Sequence, residues 1–432
     1  MPLAFLAVIF ITTLLLLLPL ARAGDGSADF MTAFFTATSA VCVTGLIVED
    51  TATYWSGFGQ GVILLAFQIG GFGIMTAATL LGIVAGRGLR LSSRMLASAE
   101  RSQIDFTDAA SVLKLVFGAT LLVESLLALA LVLRLHLAHG EAWDTAVWNG
   151  VFHAISAFNN AGFSTYSDGL MGFQADGLFL WPMMLAIMVS ALGFPVLHEL
   201  RHEWREPQRW SLHTRLTLAG SAVLLVLGLA GILMAEWQNP ETLGPMGWTD
   251  KLTNASFHSV IARTTGFNTL DVGRFREQTL ALNYVLMFIG GGSAGTAGGI
   301  KVTTFFLLGV VVWSEIRGER EAHVFGRRIG AGVERQALAV VLLSMGLIGL
   351  GTVAILSITG LPLSAVLFET ISAFATVGLS TGITGELPAS AELVLILLMF
   401  VGRVGTITVA TALALGSQRR AWRYPEESPI VG

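Results

Sequence analysis

The sequence predicts an all-α membrane protein with eight transmembrane helices arranged as four tandem repeats. Three observations predict this class: the composition, the length of the apolar runs, and a short segment that occurs four times. Of 432 residues, 54% are hydrophobic and 12% are charged, and that charged share is about half of what soluble domains carry. A net charge of −4 gives no indication of a nucleic-acid partner. The single cysteine, Cys42, rules out an internal disulfide.

Eight apolar runs are each long enough to cross a bilayer, which takes about 20 residues as a helix. They are 3–20, 61–85, 113–133, 178–197, 216–236, 280–311, 337–357 and 392–415. An Ala-x-Ala sequence at 21–23 follows the first run, as in a cleaved signal peptide. No basic residue precedes that run, and it is longer than a usual signal core. We therefore interpret it as a span, with a signal peptide as the alternative.

The basic residues predict the orientation of the spans. Sixteen of the 25 Lys and Arg residues lie after the second, fourth, sixth and eighth runs, whereas the other connections are rich in Asp and Glu. Because basic loops stay in the cytoplasm, the even-numbered spans are expected to end there. The chain is then a multi-pass protein of the plasma membrane with the lipid bilayer as its surroundings.

A half-apolar segment recurs on the outer side of each pair of spans. Its copies are FMTAFFTATSAVCVTGL (30–46), AVWNGVFHAISAFNNAGF (146–163), KLTNASFHSVIARTTGF (251–267) and SAVLFETISAFATVGL (364–379). Each ends in glycine followed by Leu or Phe, and a serine stands six residues before the glycine in three copies and seven before it in the third. The predicted repeats are 1–100 with pore loop 29–46, 101–210 with 145–163, 211–333 with 251–267, and 334–432 with 364–379.

Each segment is too short to cross the membrane, since about a dozen helical residues reach only some 18 Å. It must dip in and return, and a returning backbone at membrane depth is tolerated only where protein or water surrounds it. Four such segments around one central pore would present a ring of carbonyls able to replace the water shell of a cation. The four short pore helices would also aim their partly negative C-terminal ends at that cation.

These motifs are similar to those of a known family. TATSAVCVTGL with QIGGFGIMT (68–76), SAFNNAGFS (156–164), TTGFNT (264–269) with GGSAGTAGGIK (291–301), and TVGLSTG (376–382) with GRVGT (402–406) together cover nearly the whole chain. The chain resembles the Trk/Ktr/HKT superfamily of cation uptake proteins, and most closely its Ktr-type potassium-translocating membrane subunits. The resemblance implies potassium uptake, with glycine at all four filter positions associated with potassium selectivity and sodium as a candidate coupled ion.

The resemblance further implies which residues form the ion filter and which partners the chain has. The filter residues are Val43, Thr44, Gly45, Asn160, Ala161, Gly162, Thr264, Thr265, Gly266, Thr376, Val377 and Gly378. Potassium would bind at their carbonyls only, and no organic cofactor is expected on this chain. Similar proteins are homodimers of bacterial inner membranes that bind a cytoplasmic ring of nucleotide-binding regulatory subunits.

Glycines interrupt the sixth apolar run at GGGSAGTAGGIKVTT (290–304), where a break in the helix is expected because each glycine costs about 1 kcal/mol relative to alanine. The resemblance assigns this intramembrane loop, 290–302, a gating role together with Arg403. The gate residues are Gly290, Gly291, Gly292, Ser293, Ala294, Gly295, Thr296, Ala297, Gly298, Gly299, Lys301 and Arg403. The alternative is close packing of small residues against a neighbouring helix. A phosphate-binding loop is disfavoured because G-K-[ST] is absent.

Arg403 lies inside the last apolar run, where a guanidinium is costly unless it faces water or partners. We therefore expect it to line the pore, with snorkelling to the inner interface as the alternative. Glu124, in the third run, is interpreted either as a partner of a cationic group or as facing a water crevice. His153 and His258 are more typical of packing or hydrogen-bonding residues than of metal ligands.

Two other classes of function are alternatives to a pore. An ion-coupled secondary transporter with alternating access, or a sodium-permeable one, is the stronger alternative, and it predicts slow, saturable, coupled transport. A voltage-gated channel would require a sensor span with an arginine at every third position, and no run contains one. No nucleophile, base and acid occur in register, so the sequence does not predict an enzyme.

Overall fold

The computed structural model describes residues 2–90, 109–319 and 321–405, without the side chains of 77–90 and 109–115. These ranges are helical apart from turns, short 3₁₀ segments, a π-helical turn and one antiparallel hairpin. The α-helices are α1 (Pro2–Leu16), α2 (Phe30–Val41), α3 (Gly57–Arg90), α4 (Ala109–His139), α5 (Trp143–Asn159), α6 (Gly177–Leu192), α7 (Phe194–Glu203), α8 (Leu212–Glu236), α9 (Trp248–Ile261), α10 (Glu277–Phe288), α11 (Val302–Ile316), α12 (Ala331–Thr359), α13 (Leu363–Phe374) and α14 (Ala389–Phe400). The hairpin pairs β1 (His323–Val324) with β2 (Arg327–Arg328).

Four of the described helices are long and apolar enough to cross a membrane, namely α3, α4, α8 and α12. The bent pair α6 and α7 would make a fifth. Large apolar side chains cover the outer faces of these helices, and Leu122, Val226 and Leu350 are 61%, 65% and 72% exposed. A surface of this kind suits lipid. The chain is thus a mostly helical protein of the membrane type, and the count of eight spans stays a prediction.

Two of the predicted spans are broken. The predicted break in the sixth run is present, because α10 ends at Phe288 and α11 begins at Val302. The fourth run is also broken, which the sequence analysis did not predict: α6 and α7 meet at an angle of 99°. Gly193 makes this bend with a φ of +89°, a conformation that glycine adopts without steric cost. A proline in the first turn of α7 helps start a new helix after it.

The break in the sixth run closes into a compact loop that spans 289–301, one residue earlier at each end than predicted, and the name intramembrane loop refers to these residues from here on. The backbone of Gly290 donates to the carbonyl of Ile300 over 2.9 Å, and that of Ile300 donates to Phe288 over 3.1 Å. Ile289 and Ile300 pair as a parallel bridge. These bonds hold the end of α10 beside the start of α11, so the backbone groups freed by the break find partners within the protein, as membrane depth requires.

The four short helices α2, α5, α9 and α13 follow a cyclic packing order. Each packs against the helix that precedes it in the chain, and each also packs against a helix of the preceding repeat: α2 on α14, α5 on α3, α9 on α6 and α13 on α10. Because the first short helix touches the last long one, the order closes on itself. One fully buried phenylalanine anchors each short helix, and the four are Phe35, Phe152, Phe257 and Phe368.

Parts of the predicted repeat scheme lie outside the described residues. The boundary between the first two repeats at 100 and 101 falls there, as do residues 406–415 of the last apolar run and the basic C-terminal tail.

Candidate functional site

Four glycines, one at the end of each recurring segment, meet backbone to backbone. A Cβ atom added to Gly45 would lie 2.3 Å from the carbonyl oxygen of Ala161, and one on Gly378 would lie 2.0 Å from that of Thr44. A Cβ on Gly162 would lie 2.4 Å from the nitrogen of Gly266, and one on Gly266 would lie 2.7 Å from the oxygen of Gly378. The contacts therefore run in order around a closed ring. We call these four residues the glycine ring.

Three of the four segments share an unusual backbone. Positive φ angles occur in pairs, at Val43 (55°) and Gly45 (94°), Asn160 (60°) and Gly162 (73°), and Thr376 (48°) and Gly378 (89°). The residue between the members of each pair has no positive φ, and such alternation turns successive carbonyls toward the same side. A positive φ is an outlier for the β-branched Val43 and Thr376, and strain of this kind concentrates at functional sites.

The serines that precede the glycines by six residues hold three of these segments. Ser39 accepts from the backbone of Gly45 over 3.1 Å and donates to the carbonyl of Leu46 over 2.7 Å. Ser156 donates to Phe163 over 2.9 Å, and Ser372 accepts from Gly378 over 3.1 Å. Each serine thereby joins the end of a short helix to the strand that leaves it.

The third segment differs from the others. Its serine, Ser259, donates instead to the carbonyl of Leu225 in α8 over 2.9 Å. None of Thr264, Thr265 and Gly266 has a positive φ. The anchoring Phe257 precedes its glycine by nine residues, where the other copies have ten. The segment is therefore one residue shorter. Ser259 also follows Phe257 by two residues, where the other serines follow their phenylalanine by four, so its hydroxyl bonds to α8 instead of the segment.

The oxygens around the glycine ring suit a monovalent cation. The buried hydroxyls of Thr44, Thr264 and Thr265 have no hydrogen-bond partner among the described residues. Carbonyl and hydroxyl oxygens of this kind can replace the hydration shell of an ion. No group of three or more His, Cys, Asp or Glu that could hold a metal occurs in the described part of the chain. The site therefore offers neutral oxygen donors and the partly negative ends of four short helices.

The intramembrane loop lies against the bend between α6 and α7. The backbone of Gly292 donates to Ala191 over 2.8 Å, and that of Thr296 donates to Ser190 over 3.3 Å. A Cβ on Gly193 would lie 2.2 Å from the oxygen of Ser293. Close packing of small residues, the alternative weighed for this segment, thus describes these contacts, and the gating role stays a prediction.

The same loop contacts two of the ring segments. Asn160 donates its side-chain amide to the hydroxyl of Thr296 over 2.7 Å. A Cβ on Gly298 would lie 2.0 Å from the carbonyl oxygen of Ala375 and 2.0 Å from the hydroxyl of Thr376. Within the loop, the amine of the half-buried Lys301 donates to the carbonyl of Ala297 over 2.6 Å. The loop is thus packed directly beside the second and fourth segments of the site.

Arg403 lies on a π-helical turn, Val401–Gly405, at the end of α14. Its side chain is 3% exposed, and it donates to the hydroxyl of Thr376 over 3.3 Å. Its Nε and Nη2 atoms have no partner among the described residues. The guanidinium therefore points toward the site instead of toward the surface, unlike the snorkelling alternative. π-helical turns inside α-helices are frequent at functional sites.

Glu124 matches neither of the two interpretations given to it above. It is 5% exposed and accepts one hydrogen bond from the amide of Gln68 and one from that of Asn159, each of 3.1 Å. Its partners are neutral amides. A sequence pattern could not reveal this, because Gln68, Glu124 and Asn159 belong to three different helices.

On the predicted outer side, Asp176 ties α4 to the start of α6. It accepts from Arg134 over 2.9 Å and contacts the imidazole of His139 over 2.8 Å, and it caps α6 by accepting from the backbone of Phe179 over 3.2 Å. Burial opposes ionisation of this carboxyl, but the hydrogen bonds from Arg134, His139 and Phe179 outweigh it and lower the pKa of Asp176.

Comparisons with known proteins identify the family of this chain. A family model described as TrkH, cation transport protein, matches residues 3–424. The chain is 38% identical to Ktr system potassium uptake protein B of Bacillus subtilis (strain 168), covering 99% of this chain and 95% of that protein. It is 33% identical to the potassium/sodium uptake protein NtpJ of Enterococcus hirae, covering 99% and 95%.

A solved structure shares the fold. The crystal structure of the potassium transporter TrkH from Vibrio parahaemolyticus has a TM-score of 0.73 to this chain at 19% identity, covering 97% of this chain and 86% of that one. At that identity the likeness shows the fold alone.

Proposed function

The chain belongs to the TrkH family of cation transport proteins, as its motifs predicted, and on that premise we propose that it takes up potassium across the plasma membrane through a filter of backbone carbonyls. The observation that carries this proposal is the closed contact order of the glycine ring. Four strands around one axis can offer oxygens from all sides, as an ion that has lost its water requires. A transporter of this family is not an enzyme.

The full architecture belongs to the proposal. Eight spans, with α6–α7 and α10–α11 each counted as one broken span, would surround four pore helices in the repeats 1–100, 101–210, 211–333 and 334–432. The pore helices α2, α5, α9 and α13 are short and largely buried. Their C-terminal ends supply partial negative charge near the ring. Potassium would enter from the outer side and lose its water at the twelve filter residues.

The intramembrane loop and Arg403 are proposed as the gate of this pathway. The loop packs beside the second and fourth filter segments, and the guanidinium of Arg403 reaches Thr376. A fixed positive charge beside a narrow path repels cations. Conduction would then require the loop and the arginine side chain to move away from the filter.

The proposed partners are a second copy of this chain and a cytoplasmic ring of nucleotide-binding subunits. The name of the Bacillus relative calls it part of a Ktr system, which supports a separate regulatory component. The homodimer and the nucleotide ring themselves rest on the family resemblance.

Sodium permeation or sodium coupling is the second candidate. The Enterococcus relative is named a potassium/sodium uptake protein, and broken helices near a binding site are also typical of secondary transporters. Slow, saturable flux that requires sodium at a fixed stoichiometry would favour this candidate over a gated pore.

Potassium uptake by a transport-deficient cell tests the proposal. Cells that express this chain should take up potassium, and more so with a candidate cytoplasmic regulator than without it. Gly45→Ser should reduce discrimination against sodium, since its Cβ would meet the backbone of Ala161. Absence of potassium uptake by the correctly inserted protein, or unchanged selectivity in Gly45→Ser, would contradict the proposal.

A further inference from the structure

The residue that follows the anchoring phenylalanine lies behind the filter in each pore helix. These residues are Thr36, His153, His258 and Glu369, and all four are buried. Two of them bind the chain that continues past the glycine ring on the outer side. His153 contacts the hydroxyl of Ser164 over 3.0 Å, and Glu369 accepts from that of Ser380 over 2.7 Å. In both cases the partner lies eleven residues further along.

Glu369 holds the outer segment of the fourth repeat with four hydrogen bonds. Its Oε1 accepts from Ser380, from the backbone of Thr381 over 2.9 Å and from the hydroxyl of Thr381 over 3.2 Å. Its Oε2 accepts from Thr384 over 2.8 Å. Every donor comes from residues 380–384, which follow Gly378 directly. The carboxyl group is fully buried, and its bonds satisfy the polar groups that burial would otherwise leave unpaired.

His153 performs the same task in the second repeat with different chemistry. Its Nδ1 lies 2.7 Å from the carbonyl oxygen of Asn149, which can only accept, so Nδ1 carries the proton. In the neutral imidazole Nε2 then accepts from the hydroxyl of Ser164. Ser164 in turn accepts from the backbone of Tyr166 over 3.0 Å. The outer segment is thus tied through one serine to the helix behind the filter.

The first and third repeats lack this arrangement. Ile47 follows Gly45 by two residues and Asn268 follows Gly266 by two, where the other repeats have serine. His258 contacts the side chain of Asn283 in α10 over 3.0 Å with its Nε2 atom and so makes no hydrogen bond of this kind to its own outer segment. All four repeats have a polar residue at this pore-helix position, but its hydrogen bond to a serine two residues after the glycine occurs only in the second and fourth among the described residues.

We propose that His153 and Glu369 are positioning residues that fix the outer part of the ion filter on two opposite sides and thereby set its preference for potassium over sodium. The second and fourth segments are opposite because the ring contacts run from Gly45 to Gly162, Gly266, Gly378 and back. This inference rests on the proposed potassium filter. Because the second and fourth segments are fixed in place, the ring keeps one width. The first and third segments have no hydrogen bond of this kind from their pore helices.

The physical reason is the cost of ordering a strained strand. The segments that both residues hold contain left-handed residues two positions before their glycines, and such backbone persists only where its surroundings over-determine it. Without the tie, the strand can relax outward and admit an ion of different size. A merely structural residue would lower the amount of folded protein without changing which ion passes.

The test measures the potassium-to-sodium uptake ratio in proteoliposomes that hold the full-length protein. Glu369→Ala removes all four bonds and should lower the ratio about tenfold, in line with the loss of several buried hydrogen bonds. Glu369→Gln keeps acceptor Oε1 and can donate to Thr384, so it should retain the ratio within about threefold. Ser380→Ala and Ser164→Ala should give intermediate losses. Thr36→Val is the matched control in the first repeat and should leave the ratio unchanged.

Each outcome decides the inference. A wild-type ratio in Glu369→Ala, or equal losses in Glu369→Ala and Thr36→Val, would overturn it while leaving the potassium filter in place. If Glu369→Ala fails to fold, the two serine variants decide the question by the same ratio. A wild-type protein that does not distinguish potassium from sodium would contradict the proposed function itself, which separates the two failures.

Discussion

Alanine substitution of each of the four ring glycines should lower the potassium-to-sodium uptake ratio by a different amount. Gly378 and Gly266 give the clearest contrast. A Cβ on Gly378 would lie 2.0 Å from the oxygen of Thr44, whereas ordinary contact begins at 3.4 Å. The neighbouring strand must therefore retreat by well over an ångström. Gly378 also has a φ of +89°, which costs an L-residue roughly 1–2 kcal/mol. That energy alone corresponds to a factor of about 5–30 in the population of the native ring.

Gly266→Ala should require a smaller rearrangement of the ring than Gly378→Ala. Its Cβ would lie 2.7 Å from the oxygen of Gly378, and its φ is not positive, so the neighbouring backbone must shift less than for Gly378→Ala and no strain from a left-handed residue is added. We expect the potassium-to-sodium uptake ratio to fall at least about fivefold further in Gly378→Ala than in Gly266→Ala. The ratio is measured in proteoliposomes at matched protein content. An equal or larger loss in Gly266→Ala would refute the reasoning from ring geometry.

Three further outcomes follow from the contacts. Ser372→Ala leaves the backbone N–H of Gly378 without its 3.1 Å acceptor and should lower the selectivity for potassium over sodium. The hydroxyl of Ser259 binds α8 instead, so Ser259→Ala should change thermal stability alone. A loss of selectivity in Ser259→Ala would contradict this. Gly298→Ala places a methyl group 2.0 Å from Ala375 and should push the intramembrane loop away, raising potassium flux without regulator; reduced flux at normal abundance would count against a gate. The lowered pKa of Asp176 means that its stabilising effect is present above the ordinary aspartate pKa of about 3.9 and is lost as pH falls below it. Asp176→Asn should therefore melt at a lower temperature than wild type at pH 7, and this difference should shrink as pH falls to 3. A difference that does not change with pH would show that Asp176 contributes nothing through its charge.

Much of the site could be predicted because its geometry forces particular residue types. Where two backbones approach so closely that a Cβ atom would overlap the neighbouring chain, the residue must be glycine. Gly45, Gly162, Gly266 and Gly378 therefore mark the site in the sequence. The break in the sixth run was predictable for a related reason, because clustered glycines lower the helix propensity of a segment. The family followed from these motifs taken together and is confirmed by the family model.

The remaining features depend on contacts that the linear sequence does not record. The bend at Gly193 leaves only a short Gly-Phe-Pro signal inside an apolar run, and hydropathy does not distinguish a bent span from a straight one. The shift of Ser259 was visible in the sequence, because it follows Phe257 by two residues where the other serines follow their phenylalanine by four. Its consequence was not visible, because the partner Leu225 lies in another helix. The amides that bind Glu124 come from distant positions in the same way.

The one-residue shortening of the third segment shows what a single polypeptide allows. In a pore assembled from identical subunits, any change of sequence appears in every wall at once. In the pore proposed for this chain, a residue can be deleted or a serine replaced in one segment while the other three segments keep their geometry. Selection, and equally the experimenter, can therefore adjust ion preference in small steps, one wall at a time, without having to rebuild the whole passage.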